Sequence, residues 1–339
     1  MLIKRLTDAN GLPGHEGEVR ELIKAEIKDY VDEMYTDRMG NLIAVKNKNK
    51  EGRHIALSAH MDEVGLCVTY IDSTGYLKLH SWGVDPRVLP AKIVKIGKNK
   101  VTGVIGTKAI HLQEPDERNK ALGVDKLYID LGVESKEEAE KLVSIGDYVA
   151  FDSEFVEFGD HKIKAKALDD RAGCYAIIEA LKSDYPGKVT ACFVVQEEVG
   201  LRGSKVAAMQ INADLVLNLE GTISADTMGI KDHQNVNIHG NGPSISMLDR
   251  TSVYLKKYID AMVEVAEKNN IPCQFRRSAM GGTDAAAYHV AHGGVPVIGL
   301  AVPCRYIHSP VSVVDKRDLE HYLNLVQKFM FAYGNGEVL

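Results

Sequence analysis

The chain reads as an α/β protein in which a split α/β domain, residues 1–65 and 163–339, is interrupted by a small β-rich insertion at 66–162. Three observations predict this. First, apolar runs on both flanks end in His or carboxylate: HIALSAH closes at His60, ACFVVQ stops at Glu197 and Glu198, DLVLNL stops at Glu220, and VPVIGLAVP is followed shortly by His308. Carboxyl ends of strands are where open α/β sheets place their chemistry. Second, the middle of the chain changes to short alternating runs (CVTYID, YLKLHS, AKIVKIG, VTGVIG, DYVAFD) broken by Gly, Pro and Asp, the pattern of a small β module. Third, helical periodicity returns beyond Lys162.

Taken in order, amphipathic spacing predicts a helix over 16–30, then strands at GNLIAVK and HIALSAH, with the KNKNK of 46–50 read as a hairpin tip. One helical piece interrupts the β module: SKEEAEKLVS, with Ser135 and Glu138 at capping-box spacing. Helices follow over 168–184, 252–270, 283–292 and 317–334, and strands over 188–196 and 213–220. The Gly-rich MGGTDAAA lacks the GxxxxGK[ST] spacing of a phosphate cradle, so it reads as a helix start beside a ligand, with Thr283 as the cap.

At 339 residues the chain is longer than a single core usually allows, and 45% hydrophobic with 26% charged residues leaves no room for a long disordered region. A net charge of -6 without a long basic block argues against a nucleic-acid partner. The amino terminus has amphipathic spacing and early charges rather than the apolar core of a signal peptide, and no run of ~18 apolar residues can span a membrane. Five cysteines, odd in number and never in a CxxC pair, fit reduced buried thiols, so a cytoplasmic protein is expected.

His60 and His308 are set apart from the other histidines by their neighbours. Asp62, two residues after His60, can accept the free ring N–H or buttress the site from behind, as metal-bound histidines require; a satisfied histidine closing a strand is the plain alternative. Asp169 and Asp170 in LDDRAG open a helix, where one can cap backbone N–H groups. Two in a row repel each other unless a cation is near. In QEEVG, Glu197 and Glu198 project in different directions, so one can bind metal while the other takes a proton. With Glu220 the set holds two histidines and three carboxylates, enough for one carboxylate to bridge two divalent ions, and O/N ligation suits zinc, cobalt or manganese. Adjacent glutamates are badly placed to flank a sugar linkage from opposing sides.

In this order HMDEVG, LDDRAG, QEEVGLRGS, GGTDA and RYIHSP resemble the M42 metallo-aminopeptidases, the tetrahedral aminopeptidase group, along the whole chain. The resemblance implies a mixed-sheet zinc-aminopeptidase-like catalytic domain and a dimerisation role for the insertion. It implies two divalent ions per subunit, zinc or cobalt. Asp169 would bridge them, followed by Asp170 across a non-proline cis peptide; His60 and Glu220 would complete one site, and Glu198 and His308 the other. Glu197 would be the general base and Asp62 the partner of His60. Many relatives carry Asp in an Asp-Val-Thr context where this chain has Glu220, which bears on the affinity of that site. Activity would be release of amino-terminal residues from peptides by metal-activated water, in a homododecamer built from dimers. An endoglucanase, or a catalytically silent peptide-binding assembly, is the alternative; one tryptophan, Trp82, offers little platform for sugars. The specificity pocket is expected from the loop 230–242, where Lys231 and Asp232 pull in opposite directions.

Overall fold

The computed structural model describes residues 1–339, all side chains except that of Asp116. Its strands, in chain order, are β1 (Glu33–Thr36), β2 (Leu42–Lys46), β3 (His54–His60), β4 (Gly65–Ile71), β5 (Leu77–Trp82), β6 (Ile93–Ile96), β7 (Val101–Thr107), β8 (Leu127–Asp130), β9 (Tyr148–Phe151), β10 (Val156–Phe158), β11 (Lys162–Ala165), β12 (Lys188–Val194), β13 (Leu215–Ile223), β14 (Ser244–Ile245), β15 (Gln274–Phe275), β16 (Val297–Cys304) and β17 (Ser312–Asp315).

Eight of them form one mixed sheet in the order β1-β2-β12-β3-β13-β16-β14-β15. At its centre β12, β3, β13 and β16 run parallel. Strands covered on both faces should read as continuous apolar runs, and β16 is buried at every position, β3 and β12 at all but the first. Helix Leu168–Lys182 lies across β3 and β13, and helix Lys316–Gly334 packs on that helix and on β16.

Strands β4 to β9 close a separate barrel, β4-β5-β8-β7-β6-β9, around its own apolar core that includes Leu66, Val68, Leu77, Val94, Ile129 and Val149. Strand β10 pairs instead with β11, which pairs with β17.

Several expectations need correction. The KNKNK segment is no hairpin tip, because β12 lies between β2 and β3; the segment carries the chain past β12. Strand β1 was not legible: all four of its residues are exposed, so no alternation marks it. The insertion holds two short helices rather than one, Pro115–Arg118 and Lys136–Glu140, and Ser135 does cap the second by accepting from the Glu138 N–H. Residues 252–255 are not helical; the helix there is Lys256–Lys268. Thr283 does not cap helix Ala285–His289, whose first turn has no side-chain cap. Cys67 and Cys273 are only half-buried, while Cys174, Cys192 and Cys304 are buried. Among the described residues no helix is long and apolar enough to cross a membrane.

Candidate metal centre

His60 is the last residue of β3 and is buried. Its Nδ1 lies 3.0 Å from the main-chain carbonyl of Asp62, which can only accept, so Nδ1 carries a proton and Nε2 is the nitrogen turned toward the carboxylates. That Nε2 is 3.5 Å from Asp169 Oδ1 and 3.7 Å from Glu220 Oε2. The other Asp169 oxygen is 3.9 Å from His308 Nε2, which is in turn 3.6 Å from Glu198 Oε2. His308 is held in the same way as His60: its Nδ1 faces the carbonyl of Gly83, 3.0 Å away at the end of barrel strand β5. Gly83 has φ +70°, and a side chain there would press on Val64 and on the His308 ring.

The structure therefore brings His60, Asp169, Glu198, Glu220 and His308 together, with Asp169 between the two histidines. Its approach to β13 depends on Gly221, where a Cβ would come within 2.9 Å of Asp169. Asp169 and Asp170 are joined by a cis peptide. They divide their tasks. Asp170 accepts from the backbone N–H groups of His60 and Gly173, at 3.2 and 2.9 Å, although it too lies near His60 and Glu220. Asp169 Oδ1 is buried with no hydrogen-bond partner, as expected of an oxygen whose partner is a cation. Glu220 is not at the end of its strand as read from the sequence; β13 continues to Ile223.

Asp62 does something the sequence left open. Its carboxylate lies 3.5 Å from His60 Nδ1 through Oδ1, and Oδ1 and Oδ2 also accept from the backbone N–H groups of Glu197 and Glu198 at 2.9 and 3.1 Å. One side chain thus fixes both glutamates, while its own carbonyl fixes His60.

The charge is unbalanced. Burial pushes the Glu198 carboxyl up to about 7 against the pull of His308, and burial with neighbouring carboxylates holds Glu197, Glu220 and Asp170 well above the ordinary range. Burial would keep His60 neutral, but Asp169 and Asp62 outweigh it and raise its pKa. So many carboxyls cannot all ionise together without added positive charge.

Sequence reasoning missed a buried ion network beside the site. Glu63 accepts from Lys166 at 2.6 and 2.8 Å, from the Arg171 guanidinium at 3.3 Å and from the Gly11 N–H at 3.0 Å. Arg171 also donates to the carbonyls of Met61 and Ala9. Glu63 and Arg171 lie inside HMDEVG and LDDRAG, so the signal was present, but nothing local says that two tracts over a hundred residues apart share an ion pair.

A cleft of about 590 Å³ opens over the five residues and Glu197. Its remaining walls come from β13, from the stretches 246–254 and 276–283, and from β16, not from the expected loop 230–242.

Residues 40–325 match a family model described as M42 glutamyl aminopeptidase. The chain belongs to the M42 family. Lysyl aminopeptidase from Pyrococcus furiosus is 31% identical over 97% of this chain and 96% of its own, and glutamyl aminopeptidase from Lactococcus lactis is 30% identical over 93% and 91%. Among solved structures, aminopeptidase APDkam598 from Desulfurococcus kamchatkensis superposes with a TM-score of 0.92 at 35% identity, covering 97% of this chain and 93% of that one. The TET1 peptidase of Pyrococcus horikoshii, which assembles into a tetrahedron or a large octahedral shell, gives 0.86 at 32% identity over 97% and 98%. A Thermotoga maritima structure named endoglucanase gives 0.81 at 34% identity over 99% and 97%. As an M42 member the chain is an aminopeptidase, a hydrolase that acts on peptides as an exopeptidase.

Proposed function

We propose that this M42 aminopeptidase works with two divalent ions, zinc or cobalt, held by His60, Asp169, Glu198, Glu220 and His308, with Asp169 bridging. The observation that carries the reading is Asp169 itself: its oxygens face one histidine each, and one of them is buried without a hydrogen-bond partner. The donor set supports it further, since both histidines use Nδ1 on a main-chain carbonyl and turn Nε2 toward the carboxylates, and the excess of buried carboxyls calls for cations. Such ions would polarise the first peptide carbonyl and lower the pKa of an attacking water.

The chain's own residues do the rest. Glu197 takes the proton from the attacking water and returns it to the leaving amine, a task suited to a carboxyl whose pKa is lifted by burial. Asp62 positions Glu197 and Glu198 through their N–H groups. Carboxylates around the cleft receive the substrate's free ammonium, which favours cleavage of the first peptide bond. Assembly into a homo-oligomer, a dodecamer built from dimers with the barrel as the dimerisation module, follows the tetrahedral relative; a cytoplasmic setting accords with five free cysteines.

E197Q should lower kcat by roughly 10²- to 10⁴-fold, the range for loss of a general base, while the protein still binds two metal equivalents. Unchanged peptide hydrolysis by E197Q would refute the assigned base. The endoglucanase reading, a label that some similar structures carry, requires two carboxyls about 5 to 9.5 Å apart that act without a metal; it is tested by chelation.

A further inference from the structure

The wall of the cleft that is not built from the carboxylate cluster carries two guanidinium groups, Arg276 and Arg250, that make no ion pair among the described residues. Arg276 follows β15, at the edge of the sheet, with β13, β16 and β14 lying between it and His60 on β3. It is buried, at 8% exposure, yet among the described residues its Nε has no hydrogen-bond partner; one terminal N–H donates to the Met280 carbonyl. Arg250 lies on the same wall, and its backbone N–H donates to the Gly281 carbonyl at 2.8 Å, which ties the two wall segments together. Among the described residues neither guanidinium takes part in an ion pair.

Asp249, next to Arg250 in the chain, and Glu220 on β13 already have partners of their own. Asp249 Oδ1 accepts from the N–H groups of Thr251 and Ser252 and from the Thr251 hydroxyl, and Oδ2 accepts from the Tyr254 hydroxyl. Glu220 Oε1 accepts from the Asn218 amide. A buried guanidinium with an unsatisfied N–H is costly, and a carboxylate that meets it gains a charge-assisted, planar pairing.

We propose that this wall is the side-chain pocket for the substrate's amino-terminal residue and that it selects an acidic side chain, with Arg276 as the main recognition group and Arg250 assisting. The proposal rests on the aminopeptidase reading. The matching family model is described by glutamyl release, yet a relative named for lysyl release is about as similar to this chain as one named for glutamyl release, so the charge is argued from the residues on the wall. A lysyl side chain would set a third cation against two. A leucyl side chain would leave Arg276 unpaired.

The test uses the full-length, metal-loaded protein on glutamyl, aspartyl, leucyl and lysyl p-nitroanilides. The glutamyl or aspartyl substrate should exceed the leucyl one by about tenfold or more in kcat/KM, the scale of one well-made or missing polar contact, and the lysyl one should be poorest. R276Q should remove most of that ratio and R276E should shift preference toward lysyl, while R250Q, at an exposed position, should have a smaller effect in the same direction. A readout without turnover accompanies it: calorimetric binding of free L-glutamate, L-leucine and L-lysine, which share the α-amino and α-carboxyl groups and differ only in the side chain. Wild-type preference for leucyl or lysyl substrates, or an unchanged glutamate-to-leucine ratio in both R276Q and R250Q, would overturn the proposal. Failure to cleave any of the four would count against the catalytic reading instead, and preferential glutamate binding lost in R276Q would still support the pocket.

Discussion

Asp62 links three of the groups on which the proposed chemistry depends, and it does so with main-chain and side-chain oxygens at once. Its neighbour relation to His60 is legible in HMD; its hold on Glu197 and Glu198 is not, because it arises from the parallel register of β3 and β12, in which His60 pairs with Val194. That register brings 61–62 level with 195–198, more than a hundred residues later in the chain. In D62N one of the two acceptor oxygens becomes an NH₂ donor that faces a backbone N–H. The substitution should lower both metal affinity and kcat by about 10- to 100-fold, the usual effect of disturbing the groups behind metal ligands. Metal titration together with steady-state hydrolysis would check it; wild-type values for both would show that Asp62 is dispensable for positioning.

Secondary-structure elements explain why the site holds its shape. The network of Glu63, Lys166 and Arg171 joins the turn after β3, the segment after β11 and the start of helix Leu168–Lys182, the same stretches that carry His60 and Asp169. Burial lowers the Lys166 pKa, with Glu63 opposing. An ion pair of this kind need not add net stability, but removing its single anion strands two buried cations, so E63A should cost about 3–5 kcal/mol in denaturant unfolding. A loss under ~1 kcal/mol would mean that water or another carboxylate takes over. Elsewhere His239 is nearly enclosed, and burial, reinforced by Arg305 and Lys162, lowers its pKa to about 4. The unfolded histidine binds a proton near pH 6.5 and the folded one does not, so this group's contribution is complete above pH 6.5 and is lost as pH falls toward 4. About 2 kcal/mol should disappear between pH 7 and pH 5, and H239Q should flatten that part of the unfolding profile. An identical pH slope in H239Q would assign the loss to other groups.

For the molecule as a whole, the alternation of apolar runs with helical spacing revealed the α/β sheet, and histidines and carboxylates at or near strand ends marked the candidate centre. The order of strands in the sheet was less accessible: KNKNK looked like a turn because β12, the strand that separates β2 from β3, does not begin until Lys188. Arg276 and Gly83 were invisible for a related reason, since one acquires meaning only when β15 joins the sheet edge and the other only when the barrel docks its Gly83 carbonyl on His308. Both contacts depend on how distant segments come together, which local periodicity does not encode. The most direct test of the central claim is hydrolysis of aminoacyl p-nitroanilides, an amino-terminally blocked peptide and carboxymethylcellulose, before and after chelation and after return of Zn²⁺ or Co²⁺. The dinuclear aminopeptidase reading predicts that only free-amine substrates are cleaved, that chelation abolishes the activity and that either metal restores it. Cleavage that survives chelation, or cleavage of the blocked peptide or the cellulose, would contradict it.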